Sequence, residues 1–148
     1  MISVTSLLVP PVLWPSIANG QINLEGTIAG FVDTLIPHDE VSPAASTLGV
    51  HTDILSFASN VPDLGEFLSA GAAWLNQTGG LSFADLTEVD RMAIVGWMAQ
   101  SDTSGAPYRF YELVRLLAVE FYYARPEAIA GFPLNDTPQP KGYLPPWT

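Results

Sequence analysis

The sequence has no cysteine, five basic residues and few charges of either sign. Without cysteine, disulfides, iron–sulfur ligation, c-type haem attachment and thiol catalysis are excluded. All five bases, Arg91, Arg109, Arg115, Arg125 and Lys141, come after residue 90, whereas residues 1–90 carry ten carboxylates. The net charge of −10 therefore resides in the first part of the chain, and the remainder is neutral. Such a field repels phosphate backbones and anionic headgroups, which disfavours nucleic acid and membrane-surface partners. It suits either plain solubility or a basic protein partner.

Charged residues make up 14% of the 148 positions and hydrophobic ones 48%, where an average soluble domain is roughly 25% charged. That is too little charge to dress a full surface, so a permanent partner is expected. The length fits one domain, able to bury about two thirds of its unfolded surface.

Also missing is any stretch that alternates with period two and β-branched enrichment. The fold class read from the sequence is all-α, an irregular bundle of about five helices with no repeat. The helical core is assigned to residues 22–125, between an apolar arm (1–21) and an extended proline-rich tail (126–148). Residues 1–18 are uncharged, yet Pro10, Pro11 and Pro15 break them, and they are too short to span a bilayer. They read as an arm laid on a partner, or as the remnant of a secretory signal whose basic region is missing.

Between Asn23 and Ile36, Leu24, Ile28, Phe31, Val32 and Leu35 recur at helical spacing until Pro37 stops the run. A shorter helix is expected from Gly49 to Ala58. A third, opened by Pro62 and Asp63, has the stripe Leu64, Phe67, Leu68, Gly71 and Leu75 with Trp74 beside it, and ends at Gly79–Gly80. After a polar connector, LSFADL, Thr87 and Asp90 form a capping-box variant ahead of Glu88–Gln100, whose buried set is expected to be Val89, Met92, Ala93 and Gly96. Pro107 opens the last and most apolar helix, which Pro126 closes. A short turn at Glu127–Ala130 precedes the tail. On the last helix the charges Arg109, Glu112, Arg115 and Glu120 fall within roughly 140° of a helical wheel, leaving about 220° apolar. A helix so apolar is either central to its own bundle or covered by another chain.

Motifs for chemistry are sparse. His38, Asp39 and Glu40 in one loop, with His51 and Asp53 on the second helix, make a two-His, two-carboxylate metal site conceivable, but no HExxH or ExxH spacing supports it. Neither GxSxG nor a glycine-rich phosphate loop is present. His38, Asp39 and Glu112 would be the groups of a stand-alone helical enzyme. Phe110, Tyr111, Phe121, Tyr122 and Tyr123 read either as an aromatic ligand box or as core plus protein interface. No catalytic, cofactor-binding or metal residue is nominated.

Three segments then line up: LIPHDEVSPAASTLGV at 35–50, the DRMAIVGWMA helix, and FYELVRLLAVEFYYARPEAIAGFPLNDTPQPKGY at 110–143. The specific positions are Leu35, Ile36, Pro37, Asp39, Pro43, Ala44, Gly49 and Val50, then Tyr122 or Tyr123, Pro126, Pro138, Pro140, Gly142 and Tyr143. Together they resemble the gluconate 2-dehydrogenase subunit 3 family, the small subunits of bacterial flavin-dependent sugar and polyol dehydrogenases. The resemblance implies a non-catalytic chain that binds a large FAD-containing subunit of the glucose–methanol–choline (GMC) type, helps it mature and escorts it to the periplasm. FAD and substrate oxidation are then expected on the large chain, and a cytochrome c subunit often takes the electrons. Many members begin with a twin-arginine signal, whereas this sequence has no arginine before Arg91. The partner-facing set expected on this basis is Phe110, Tyr111, Val114, Phe121, Tyr122, Tyr123, Pro126, Pro138, Pro140 and Tyr143.

Overall fold

Asn23 accepts the Gly26 N–H on its side chain at 2.9 Å and so starts the first helix, α1 (Leu24–Leu35). The computed structural model describes residues 23–132. The expected arm (1–21) lies outside them, as does the tail beyond Phe132 with Pro138, Pro140 and Tyr143. After α1 come α2 (Val50–Ser59), α3 (Leu64–Thr78), α4 (Glu88–Gln100), α5 (Ala106–Tyr123) and the single turn α6 (Pro126–Ile129). Short 3-10 turns at Ser46–Leu48 and Phe83–Asp85 complete the set, and no strand occurs among the described residues. The all-α expectation holds, with one short helix more than the five long ones.

The α1 stripe is buried as its spacing requires: Ile28, Phe31 and Val32 have no exposure. α5 runs through the middle and packs on α1, α2, α3 and α4. Most of its wide apolar arc is thereby covered within the chain, while Leu116, Val119 and Tyr123 stay exposed. Ala106, Phe110, Val114 and Ala118 are sealed and Tyr122 nearly so, with Leu113, Leu117 and Phe121 packed alongside. The Phe110 ring meets Phe31 edge-on at 5.3 Å and Phe67 at 6.0 Å. Gly71 on α3 makes this possible, because a Cβ there would stand 2.2 Å from the Phe110 ring.

Three sequence expectations need correction. α3 begins at Leu64 and not at Pro62–Asp63: Asp63 takes a left-handed conformation (φ 65°) in the turn that Leu64 N–H closes on Val61 at 3.3 Å. The connector LSFADL, read as polar, carries a core residue, since its Phe83 is fully buried and meets Phe31 at a tilt, 5.9 Å away. Asn76 explains this, because its Oδ1 accepts both the Phe83 N–H (2.9 Å) and the hydroxyl of buried Thr27 (3.0 Å), latching connector, α1 and α3 together.

The third correction concerns the face of α4. Its start is as expected, with the Thr87 hydroxyl oxygen accepting the Asp90 N–H at 3.2 Å. Its buried side, however, is Val95 and Met98 with Ile94 and Arg91 partly covered, and Arg91 turns inward beside Gly30. Three of the four expected core residues face outward, Val89 at 76% exposure, Met92 at 57% and Ala93 exposed as well, while Gly96 is half-buried. EVDRMAIVGWMAQ is apolar on both sides, so periodicity defines two stripes and cannot choose between them.

Gly→Ala in a helix interior ordinarily stabilises by about 0.5–1 kcal/mol. At Gly71 the sign reverses. Gly71→Ala is expected to destabilise by about 1–3 kcal/mol through overpacking against Phe110, read as a lower urea midpoint with an unchanged m-value.

Candidate partner-docking end

The loop after α1 has no regular structure over most of its length, yet its backbone groups are extensively bonded. The Asp39 carboxylate accepts the N–H groups of Val41 (2.9 Å) and Ser42 (2.7 Å) and the Ser42 hydroxyl (2.8 Å), while Asp39 N–H donates to the Ser42 carbonyl at 3.0 Å. Ala45 N–H returns to the Ile36 carbonyl at 3.1 Å. Asp33, on the last turn of α1, takes the Ser46 N–H (2.7 Å) and hydroxyl (2.6 Å), which fixes the start of the 3-10 turn. Gly49 then adopts φ 74°, a conformation costly for other residues, and feeds the chain into α2.

The end of α5 clamps this loop from the other side. Tyr122 donates its hydroxyl to the Pro43 carbonyl at 2.7 Å, and Arg125 pairs with Asp53 on the first turn of α2. Beyond α6, Gly131 lies so close to the loop that a Cβ on it would be 2.0 Å from the Val41 carbonyl oxygen. The segments 36–53 and 122–132, far apart in sequence, thus form one end of the molecule. Its outward side shows His38, Asp39, Glu40 and Val41 of the loop with Ile129 and Phe132, the last two 41% and 42% exposed.

The residues weighed for chemistry do not assemble. Asp39 is engaged with its own loop, and Glu112 is held by Arg115, three residues on along the same helix, through bonds of 2.7 and 3.3 Å. His51 Nε2 lies 3.8 Å from Glu25, too far for a hydrogen bond, and Asp53 is engaged by Arg125. Among the described residues no group of three His, Asp or Glu side chains is placed to hold a metal. The aromatic box dissolves too. Phe110 is in the core, Phe121 meets Phe57 at 6.1 Å, Tyr111 meets Tyr108 at 6.3 Å, and Tyr122 meets Tyr123 at 5.1 Å.

The expected partner-facing set divides in the same way. Phe110 and Val114 are fully buried and Tyr122 is 1% exposed, so these three belong to the chain's own core and not to its outer surface. Tyr111 and Phe121 are half-buried, whereas Tyr123 and Pro126 are exposed. Spacing alone missed the Asp33–Ser46 and Tyr122–Pro43 bonds. No local pattern announces a contact across 79 residues, although both of its ends fall within the segments singled out above.

A family model described as gluconate 2-dehydrogenase subunit 3 matches residues 25–135. The chain belongs to the gluconate 2-dehydrogenase subunit 3 family. No curated protein and no solved structure matches it. The family match spans every helix described, from the first turn of α1 to beyond α6. It places the protein among the subunits of gluconate 2-dehydrogenase complexes. No helix among the described residues is long and apolar enough to cross a membrane.

Two outcomes follow for this end. The Asp39 carboxyl is held below its ordinary range, first by the Val41 N–H, then by the Ser42 hydroxyl and N–H. A depressed carboxyl contributes order above its unfolded pKa and loses it as pH falls through the folded value. The amide resonances of Val41 and Ser42 are therefore expected to stay in place down to pH values below the usual Asp range and then shift together. Asp39→Asn should abolish that transition. Tyr122→Phe should cost about 1–2 kcal/mol by leaving the Pro43 carbonyl unpaired, measured by thermal or urea unfolding.

Proposed function

We propose that this protein is the non-catalytic small subunit of a FAD-dependent sugar or alcohol dehydrogenase. In this reading it stabilises and matures a large GMC-type flavoprotein and escorts it to the periplasm, where a cytochrome c subunit takes the electrons. Substrate oxidation and FAD belong to the large chain. The observation that carries the reading is the family match over residues 25–135.

The disposition of the surface supports it. Large apolar side chains are bared on several helices, among them Phe57, Trp97, Leu116 and Tyr123, as expected where another chain completes the burial. The loop at 36–49 supports it in a different way. Its backbone is bonded before any partner arrives, so docking on it costs little ordering entropy.

The large subunit produced with this chain is expected to be soluble, flavin-loaded and active, and produced without it to be depleted in flavin or aggregated. Flavin absorbance per mole of protein, together with dye-linked oxidation of the sugar substrate, reads the difference. Equal yield and activity in the two preparations would remove the stabilising role.

A further inference from the structure

α4 carries no charged side chain from Met92 to Ser101, and on the side turned away from the core it bares Met92, Ala93 and Trp97. Beside them lies an apolar groove of about 310 Å³, walled by Trp74 and Thr78 of α3 and by Ala93, Ile94 and Trp97 of α4, with the two indoles stacked at 5.7 Å. The Thr78 hydroxyl on its wall is already engaged, donating to the Trp74 carbonyl at 2.8 Å. Such a cleft takes an apolar occupant that brings no charge. α5 also bares apolar side chains, Leu116, Val119 and Tyr123, but there charge is interleaved with them. Leu116 lies four residues from both Glu112 and Glu120 and next to Arg115. That face suits an occupant with charges of its own, and the groove between α3 and α4 does not.

The chain itself contains a segment of matching chemistry. Residues 1–22, outside the described residues, have no charged side chain and include the run Leu7–Trp14, in which Leu7, Leu8, Val12, Leu13 and Trp14 are large and apolar. Pro10, Pro11 and Pro15 keep that run from packing as a helix of its own. The tail beyond Phe132 differs, because it carries Asp136 and Lys141 and departs beside Val41.

The N-terminal segment also joins the fold close to the groove. Asn23 opens α1, Thr27 one turn later bonds Asn76 of α3 at 3.0 Å, and Asn76 stands two residues from each of Trp74 and Thr78. One turn of α1, the spacing of two packed helices and the width of α3 make a path of roughly 25 Å, which about eight extended residues cover. Counted back from Asn23, that brings Leu7–Trp14 to the groove, at an effective concentration on the order of millimolar that no untethered occupant enjoys. A second copy would moreover bring another net charge of −10. From this arrangement we infer that residues 7–14 of the chain itself occupy the groove between Trp74 and Trp97 and cover the outward face of α4. The N-terminal segment is then a clasp across α3 and α4. Phe57, Leu116 and Tyr123 are left for a partner to cover, whereas Trp97 is not. The inference is independent of the small-subunit reading above.

The cysteine-free sequence makes the test direct. In the full chain, Val12→Cys is combined with Ala93→Cys in one variant and with Leu116→Cys in another, both helix positions being exposed. Intrachain crosslinking by a short bismaleimide is then followed at low protein concentration by intact mass. The pair at positions 12 and 93 is expected to close at least tenfold faster than the pair at 12 and 116. In parallel, deletion of residues 2–18 is expected to raise the fluorescence of an apolar dye severalfold with unchanged helical circular dichroism, although it removes apolar residues, because it opens the groove. If the truncated chain loses helix, the crosslinking rates alone decide. Equal rates, no closure of either pair, or interchain products alone would overturn the inference, the last by placing a second copy at the groove. So would dye fluorescence that falls on deletion, or a chain isolated from its host that begins beyond Trp14.

Discussion

The fold depends on the contact between the Phe110 ring and the bare backbone of Gly71. A single methyl at Gly71 would collide with the ring at 2.2 Å. Because none is there, α3 and α5 approach closely enough for Phe110 to reach Phe31 and Phe67 at once. Those three aromatics tie the first, third and fifth helices to a common centre, and dense packing there leaves little room for adjustment. The rest of the chain is then placed relative to α5, with α2 and α4 packed on it and the 36–49 loop clamped by its last turn.

Helix positions were legible because local physics sets them. The stripe of α1, the Thr87 cap and the stop at Pro126 each act within a turn of the chain, and the structure has all three. The facing of a helix was legible only where one side was polar. On α1 the acids Glu25 and Asp33 mark the outer side, and the buried stripe follows. On α4 the two sides are equally apolar, so the choice was made by where α1 and α5 offered a surface, which no local pattern encodes.

The partner-facing set divided for the same reason. A count of apolar residues on α5 shows how much surface must be covered, but not by what. Phe110, Val114 and Tyr122 went to the chain's own core. The motif loop was legible as a motif and not as a structure. Asp33 reaches Ser46 across 13 residues, and Tyr122 reaches Pro43 only after α5 has packed. Their bonding makes a rigid surface out of a segment whose composition reads simply as turn-forming.

The clamp on that loop also sets an order of events. Its longest-range bond comes from Tyr122, 79 positions downstream of Pro43, while Arg125 holds the following helix α2 through Asp53, 72 positions away. Contacts of such sequence separation form late, since a long loop must be closed before they contribute. During synthesis the local bonds of Asp39 and Asp33 need only nearby residues, whereas the Tyr122–Pro43 bond waits for the end of α5. The last of the loop's bonds therefore depends on a completed α5. A partner that reads the loop as Tyr122 fastens it would be reading completion.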